Sequence, residues 1–599
     1  MAEEDLRGMK AKAYEFGPFF LDVPARRLLR GGRALPLTTR LFDILLLLIE
    51  HRGEIVTKKT LFDEIWPDIT VEENNLTVAV SGLRRVLGET PKDHQYIETV
   101  PKRGYRFIAP IREIDGEAAS SFRKLEDKEL YPTTIAERNG SLTTLAVLPL
   151  VNTSDDSDID YLSDGIPETI INCLAQLPQL RIMAHSSVLR YKGREVDARE
   201  VGRELGVDAV LTGRMLLMED RLIIRTELVE ADSGWQLWGE QYDRPLSDIL
   251  SIQEEIAKRI SERLRLRLSS DEKKLLRKRF TERTEAYHLY LRGRYFLNQY
   301  HEKSVRKGIE CFQQAIKLDE EYALAYTGVA DSYYRLSAQN LDPKEAMPRA
   351  KAAAIKAVSL DNELAEAHSS LGLITLYYDY DWAGAEREYK RAIELNHSFS
   401  LTHMRYGSLL MMSRFFDAAL TELNLARELD PLSLRINTTI GTCYYLMREW
   451  TQALEQYEKL LELDPNHFPV HFCLGAVYLQ QQRYKEAISK FRLVCKLAPD
   501  IALTLAFLGY TCALSGKKTE ARRILAQLQA RAKREYVSPY GFAIIHTSLG
   551  EKDKAFQWLE KAYVERNDWL LWLRVSPELD TLRSDPRFVS LLERVGFSN

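Results

Sequence analysis

Residues 72–108 decide the fold of the first part of this chain, and they read EENNLTVAVSGLRRVLGETPKDHQYIETVPKRGYRFI. Apolar side chains recur there at helical spacing, at Leu76, Val80, Leu83 and Leu87. This spacing predicts one helix whose apolar stripe faces a core. After Gly88, two runs rich in β-branched and aromatic residues flank the turn at 101–104, which predicts a β-hairpin.

The opposite face of the predicted helix carries side chains that suit nucleic acid, namely Asn74, Asn75, Thr77, Ser81, Arg84 and Arg85. Asn can bridge two atoms of an adenine edge, Ser and Thr reach bases or phosphates, and Arg binds guanine edges or phosphates. The hairpin turn adds a basic tip of Lys102 and Arg103. We therefore expect the helix to enter a DNA groove with the basic tip beside it.

The motif L-R-R-x-L-G, followed by Y-I-E-T-V-P-x-R-G-Y-R-F, resembles the winged-helix domain of OmpR/PhoB-type regulators, in particular its CadC-like branch. In that domain, 14–37 would form the opening strands, 38–50 the first helix and 57–67 the second. The resemblance implies that the third helix enters the major groove and that the wing meets the minor groove or the backbone. The predicted DNA-binding residues are then Asn74, Asn75, Thr77, Val78, Ser81, Arg84, Arg85, Lys102, Arg103 and Tyr105.

The sequence departs from this family at positions that affect which DNA sequence is read and how DNA binding is regulated. Gly82 stands where many relatives have a larger polar residue, so the resemblance does not supply the DNA sequence that is read. The stretch before Tyr14 leaves no room for a receiver domain, and 113–141 is polar where the best-known CadC-like relatives continue into a transmembrane helix. We therefore expect the control to come from the rest of the chain.

The charge of the chain favours nucleic acid only locally. The whole chain has a formal net charge of −4, whereas residues 1–113 have 18 Lys and Arg against 17 Asp and Glu. Within 84–112, seven basic residues face three acidic ones. Affinity for phosphate depends on this local surface and not on the total charge.

The composition predicts a folded cytoplasmic protein of several domains. A chain of 599 residues with 45% hydrophobic and 28% charged residues is too long for one core and too apolar to be disordered. Its six cysteines have no C-x-x-C spacing, so we expect free thiols and no zinc. We also find no apolar run of signal-peptide or membrane-spanning type.

Residues 142–268 alternate between strand-like and helix-like runs, which predicts an α/β domain. The segments A-V-L-P-L-x-N, Y-L-S-D-G-I-P-E and G-V-D-A-V-L-T-G-R resemble the TolB-N-terminal or FlgO-like domain. His185, Ser186 and Ser187 lack the G-x-S-x-G context of a nucleophile, and we interpret them as the polar end of a strand.

The C-terminal half repeats with a period of 34 residues. The repeated positions are Gly407, Gly441, Gly475 and Gly509, then Ala419, Ala453, Ala487 and Ala521, then Pro431, Pro465 and Pro499. This pattern is that of the tetratricopeptide repeat, in which two antiparallel helices pack through small residues. About eight repeats are expected, with a concave groove suited to a peptide or a protein helix.

The sequence thus predicts a multidomain α+β protein: an N-terminal winged helix, a central α/β domain and an all-α superhelix of tetratricopeptide repeats. The predicted boundaries are 12–112 for the winged-helix domain, 113–141 for a linker, 142–268 for the TolB-N-terminal/FlgO-like domain, 284–565 for the repeats and 566–599 for a C-terminal cap.

The predicted function is sequence-specific DNA binding by a cytoplasmic transcriptional regulator, with double-stranded DNA and a protein or peptide as partners and no membrane. An interaction scaffold whose winged helix docks protein is the alternative. We expect no cofactor, and no enzyme, because Walker, kinase, zinc-protease and nucleophile-elbow motifs are absent. His467 and His471 have a spacing of four, but Pro469 lies between them, so a zinc site is the weaker interpretation.

Overall fold

The computed structural model of the chain divides into two units, residues 1–141 and 142–599. The structure describes residues 13–23, 27–30, 33–35, 39–65, 76, 80, 83–84, 86–87, 89, 95–100, 103–114, 142–154, 159–177, 179–194, 196–264, 266, 268–269, 272, 280–299, 301–339 and 341–597. Most of the predicted linker, from 115 onward, lies outside these residues.

The first unit opens on a five-stranded antiparallel sheet of order β4-β3-β2-β1-β8. Its strands are β1 (Ala13–Phe16), β2 (Phe19–Asp22), β3 (Arg27–Arg30), β4 (Arg33–Leu35) and β8 (Arg112–Ile114). The first four confirm the predicted opening strands. The fifth, β8, comes after the hairpin and pairs with β1, which the sequence pattern did not predict.

Two helices and a small second sheet complete this unit. Their bounds are α1 (Thr39–Glu50), α2 (Lys58–Ile65), β5 (Val56–Thr57), β6 (Ile97–Val100) and β7 (Gly104–Phe107), with the strand order β5-β7-β6. The described residues between 76 and 87 are helical. Their predicted apolar stripe is confirmed, because Leu76, Val80, Leu83 and Leu87 are all at most 3% exposed and belong to one core.

The second unit begins with a mixed sheet of order β11-β9-β12-β13-β14, in which β10 also pairs with β12. The bounds are β9 (Thr144–Val147), β10 (Val151–Asn152), β11 (Arg181–Ile182), β12 (Ala209–Met218), β13 (Arg221–Glu230) and β14 (Gln236–Pro245). Strand β9 is parallel to both of its neighbours, whereas β12, β13 and β14 form an antiparallel meander. This arrangement confirms the predicted α/β character.

The helices of this region are α3 (Asp160–Leu174), α4 (His185–Val188), α5 (Ala198–Leu205) and α6 (Ile249–Arg263). Helix α3 begins at Asp160 and continues through Gly165 and Pro167, two residues that often interrupt helices. Packing explains why glycine stands at 165. A Cβ atom at Gly165 would lie 2.9 Å from the Leu291 side chain, so the bare backbone packs tightly there.

Eight antiparallel helix pairs follow among the described residues, in agreement with the predicted repeats. The pairs are Thr284–Asn298 (α7) with Glu302–Leu318, Ala323–Gln339 with Pro343–Leu360, Ala365–Ile374 with Trp382–Leu395, Ser400–Met412 with Phe416–Leu429, Leu434–Leu446 with Trp450–Leu463, Phe468–Gln480 with Tyr484–Leu497, Ala502–Leu514 with Lys518–Arg531, and Pro539–Ser548 with Lys552–Val564.

Small residues let the two helices of a pair approach closely, as predicted. A Cβ atom at Gly441 would lie 2.4 Å from the Tyr457 ring, and one at Gly475 would lie 3.0 Å from the Phe491 ring. Tyr457 and Phe491 are fully buried. Each ring therefore packs on the glycine of its own pair, and Phe491 also lies 5.8 Å, between ring centroids, from Phe507 of the next pair.

The central domain and the first repeats share one hydrophobic core. This core runs from Leu145 in the central sheet to Ile374 in the third helix pair. A second core runs from Leu376 to Phe597. The sequence boundary between the central domain and the repeats is therefore not a boundary between cores.

A second contact links the central domain to a repeat far along the chain. Ser187 Oγ donates a hydrogen bond of 2.5 Å to Asp430, and Ser186 Oγ donates to the other oxygen of the same carboxylate. The Ala184 N–H donates to the Leu429 carbonyl at 3.1 Å. The interpretation of 185–187 as a strand end was wrong, because these residues form the short helix α4.

The C-terminal cap folds back onto the first helices of the last repeats. It consists of the 3₁₀ segments Asp568–Trp572 and Pro577–Leu582 and the helix Pro586–Arg594. Glu578 accepts a hydrogen bond of 2.8 Å from Tyr445, and Trp569 packs edge-on against Phe472. Trp382 donates to the Val595 carbonyl at 2.9 Å, so the cap also reaches the third helix pair.

None of the described helices is long and apolar enough to cross a membrane. All six cysteines are free thiols, and Cys311, Cys443 and Cys512 are buried.

A polar bracket recurs in the repeats and joins the two helices of a pair. His368 Nδ1 lies 2.6 Å from Glu388, and His403 Nδ1 lies 2.7 Å from Glu422. The next repeat uses a neutral version, in which Gln456 donates to the Asn437 side chain at 3.2 Å. Each of these first-helix side chains also contacts a carbonyl six residues earlier in the chain.

His471 occupies the same position one repeat later. Its Nε2 lies 2.8 Å from the Pro465 carbonyl, and its Nδ1 lies 3.4 Å from Lys490 Nζ. The spacing of His467 and His471 is therefore explained by the repeat, since only His471 takes the bracket position.

We predict that the His368 bracket makes stability depend on pH. The hydrogen bond with Glu388 raises the pKa of His368 above its usual value of about 6.5. The stabilisation is therefore complete below that usual value and is lost as the pH rises through the raised pKa, by about 1 kcal/mol. The double variant H368N/E388Q has the neutral Asn and Gln pair of the later repeat, so its free energy of unfolding should not show this loss. Urea unfolding followed by circular dichroism at pH 6 and pH 9 measures the difference, and parallel losses in both proteins would contradict it.

Candidate nucleic-acid interface

The predicted interface consists of the helix around 76–87 and the hairpin β6–β7. Of the predicted DNA-binding residues, the described ones are Arg84, Arg103 and Tyr105. The others lie outside the described residues, and these are Asn74, Asn75, Thr77, Val78, Ser81, Arg85 and Lys102.

Arg84 ties the helix to the first strand of the hairpin. Its guanidinium donates hydrogen bonds of 2.8 Å to the Ile97 carbonyl and 2.7 Å to Thr99 Oγ1. Its side chain is only 17% exposed. These contacts make Arg84 a link between the two parts of the interface.

Glu89 completes this link, and the sequence reasoning missed it. Its carboxylate accepts hydrogen bonds from the N–H groups of Tyr96 and Ile97, the second at 3.0 Å. The other carboxylate oxygen lies 3.5 Å from Arg84 Nε, and the Glu89 side chain is 0% exposed. A charged residue directly after a helix end is usually exposed. The sequence feature that could have pointed to Glu89 is its position seven residues before Tyr96, at the start of the hairpin.

The hairpin is also held from its other side, by β5. Gly104 approaches this strand so closely that a Cβ atom would lie 2.0 Å from the Val56 carbonyl oxygen and 2.9 Å from Thr57 Cα. The N–H of Lys58, the first residue of α2, donates to the Arg103 carbonyl at 3.2 Å. The turn of the hairpin is therefore anchored by its backbone.

An aromatic cluster supports the base of the hairpin. Phe107 packs edge-on against Phe16 at 5.2 Å between ring centroids, and Tyr96 does so at 5.8 Å. Phe16 belongs to β1, so the hairpin rests on the first sheet. Edge-to-face packing of this kind contributes about 0.5–1.5 kcal/mol per pair beyond the burial of area.

The two predicted hairpin residues that are described differ in exposure. Arg103 is exposed at the turn. Tyr105 is only 5% exposed and forms part of the core of the first unit. Across the strands, Arg106 Nε lies 3.2 Å from Glu98, so this third basic side chain is paired on the hairpin surface. Among the described hairpin residues, Arg103 therefore places a basic side chain in solvent at the tip.

We predict that Gly104→Ala destabilises the hairpin by about 2 kcal/mol or more, because the added methyl group overlaps the β5 backbone and cannot be accommodated by a side-chain rotation. Thermal unfolding followed by hydrogen exchange of 96–107 measures the loss. Arg103→Ala, at the exposed neighbouring position, is the matched control and should leave the hairpin protected. Equal protection in the wild type and Gly104→Ala would show the contact to be relaxed in solution.

Comparison with known families assigns the three regions of the chain separately. Residues 32–107 match the family model described as the C-terminal part of transcriptional regulatory proteins. Residues 141–259 match the second domain of HilA/YgeH-like transcriptional regulators. Tetratricopeptide-repeat models match 441–482 and 468–501. The match over the central domain is to a HilA-type model, and its predicted TolB-N-terminal or FlgO-like character stays a prediction.

Three curated relatives show how far the similarity extends. The transcriptional regulator HilA of Salmonella typhimurium is 28% identical over 428 residues, which cover 70% of this chain and 71% of HilA. The transcriptional activator CadC of Escherichia coli is 33% identical over 104 residues, which cover 17% of this chain and 20% of CadC. A putative adenylate cyclase 3 of Rhizobium meliloti is 34% identical over 187 residues, which cover 31% of this chain and 32% of that protein.

The family models and the longest of these alignments point to transcriptional regulators and not to enzymes. With the fold described above, they identify the chain as a DNA-binding transcriptional regulator that also carries tetratricopeptide repeats.

Proposed function

We propose that this regulator reads a specific DNA sequence with the helix around 76–87 and contacts the DNA backbone or minor groove with the tip of the hairpin. One observation carries this proposal. Arg84 and Glu89 fasten the helix to the hairpin, whose exposed tip carries Arg103. A helix and a basic tip held in one fixed relation suit a duplex, because groove and backbone also have a fixed spacing.

The residues divide into two proposed groups. The residues that the sequence pattern predicts for the outer face of the helix would contact bases and nearby phosphates, and these include Asn74, Asn75, Thr77, Val78, Ser81 and Arg85. Lys102 and Arg103 would contact the backbone or the minor groove. Base contacts set the sequence preference, whereas phosphate contacts add affinity for any sequence.

Arg84 and Tyr105 take indirect roles in this proposal. Arg84 is engaged by Ile97 and Thr99, so it would act as a positioning residue that sets the angle between helix and hairpin. Tyr105 is packed in the core and would support the tip from below.

The rest of the chain would receive the signal. We propose that the repeats bind a protein or peptide on surface that the C-terminal cap leaves free, since the cap already covers the first helices around Tyr445, Phe472 and Tyr510. The central domain would pass the signal on, in the manner of a TolB-N-terminal or FlgO-like module. The chain would act in the cytoplasm and without catalysis.

We predict that Arg103→Ala weakens binding to all duplexes and that Asn74→Ala or Asn75→Ala changes the preferred sequence. Each phosphate contact contributes about −0.9 to the slope of log K against log salt, so Arg103→Ala should make the slope less steep by about one contact. Selection from a random duplex library gives the preferred sequence. Titration of the full chain at several salt concentrations then gives the affinity and the slope.

Arg306→Ala is the matched control, because it removes the same charge from an exposed ion pair in the repeats. It should change neither the preferred sequence nor the slope. If the full chain selects no sequence and binds no duplex at low salt, the proposed function is wrong.

A second prediction separates positioning from phosphate contact at Arg84. Both hydrogen bonds to the hairpin come from one terminal nitrogen of Arg84, and Nε lies beside Glu89. Arg84→Lys keeps the charge, but its side chain is one bond shorter and has no Nε, so affinity should fall about tenfold with an unchanged salt slope. A slope that becomes less steep in Arg84→Ala by about one phosphate contact would instead assign Arg84 to direct DNA binding.

A further inference from the structure

A cavity of about 160 Å³ lies where helix α3 of the central domain meets α7, the first helix of the repeats. Asp164 and Glu168 of α3 line it together with His185 of α4, and Leu291 and Tyr295 line it from α7. The DNA-binding proposal makes no use of these residues.

The two carboxylates of the cavity already have cationic partners. Asp164 lies 2.6 Å from Lys192 Nζ, and Glu168 accepts a hydrogen bond from Arg294. Lys192 and Arg294 are not among the residues that line the cavity, but they neutralise its two carboxylates. A carboxylate ligand would meet the oxygens of Asp164 and Glu168, and an ammonium ligand would compete with the cationic partners that these carboxylates already have, so an uncharged ligand fits best.

Two polar atoms of the lining residues remain unused. Asp164 Oδ1 and His185 Nε2 are buried, and neither has a hydrogen-bond partner within the part of the chain that the structure describes. His185 Nδ1 faces Glu168 at 4.0 Å. That distance is beyond a hydrogen bond, so the ring nitrogens of His185 are open to a ligand. A hydroxyl group suits both unused atoms, because it can donate to Asp164 Oδ1 and can either donate to or accept from His185 Nε2.

The remaining wall is partly apolar and the mouth is polar. Leu189, Leu291 and the Tyr295 ring offer carbon surface, whereas Asn298 and Gln299 are exposed amides at the rim. A cavity of about 150 Å³ accommodates a six-membered carbon ring. A ligand of this size must combine carbon surface with several hydroxyl donors, as a cyclic polyol or a monosaccharide does.

We propose that this cavity binds a small, uncharged, hydroxyl-rich molecule of monosaccharide size, which donates a hydrogen bond to Asp164 and forms hydrogen bonds with His185 and the rim amides. Because its walls come from both the central domain and the first repeat, the ligand would strengthen their packing. A role of this ligand as a signal for the regulator rests on the proposed function, whereas the binding of the ligand to the cavity does not.

The test uses the full-length protein and four hydroxyl-rich probes, D-glucose, D-ribose, myo-inositol and glycerol, with acetate and ethylammonium as charged comparators. Calorimetric titration and saturation-transfer NMR measure binding at a few millimolar, where the general stabilising effect of polyols is small. At least one hydroxyl-rich probe should bind, and neither charged probe should.

Two variants and one control locate the binding. Gln299→Ala removes a rim amide, and His185→Phe removes the ring nitrogens while keeping a ring, so each should weaken binding at least about fivefold. Gln314→Ala removes an equally exposed amide from the second helix of the same pair and should bind like the wild type.

Binding by a charged probe alone, binding that both variants leave unchanged, or no binding by any probe would each overturn the proposal. Duplex affinity is measured on the same preparations. Intact DNA binding without probe binding would reject the cavity site only, and probe binding without DNA binding would reject only the proposed function.

Discussion

Close approach of backbone at glycine is the constraint on which both units of this protein depend. In the first unit, Gly104 lets β7 pass against the Val56 carbonyl, and this contact fixes the turn that carries Arg103. In the second, Gly441 and Gly475 let a whole aromatic ring lie on the facing helix. A methyl group at any of these positions would replace a short contact by a steric overlap. The strand or helix that packs against the glycine would then have to move away.

Local periodicity explains why much of the fold could be predicted from the sequence. The stripe from Leu76 to Leu87 and the period of 34 residues each reflect contacts between residues near one another in the chain or in equivalent repeats. Helix α3 does not follow from local signals in this way, because it contains Gly165 and Pro167, and the reason for Gly165 is its packing against Leu291, more than a hundred residues away.

Contacts between residues that are distant in the sequence are the part of the candidate site that a sequence pattern does not show. An arginine on the polar face of a helix could not be distinguished from one that contacts DNA, yet Arg84 is bonded to Ile97 and Thr99 on the hairpin. Its partner Glu89 had no periodic signature at all. The contact of Ser186 and Ser187 with Asp430 was equally hidden, because it joins positions more than 240 residues apart.

The core that extends from Leu145 to Ile374 determines which pieces of such a regulator are interchangeable. A gene fusion made at the sequence boundary near 270 would divide this core and expose Tyr287 and Leu291 of α7 to solvent. A fusion made near 141 cuts none of the cores found in the described residues. The protein is therefore built from two exchangeable modules and not three, and its DNA-reading module is the one that could be replaced without redesigning a hydrophobic interior.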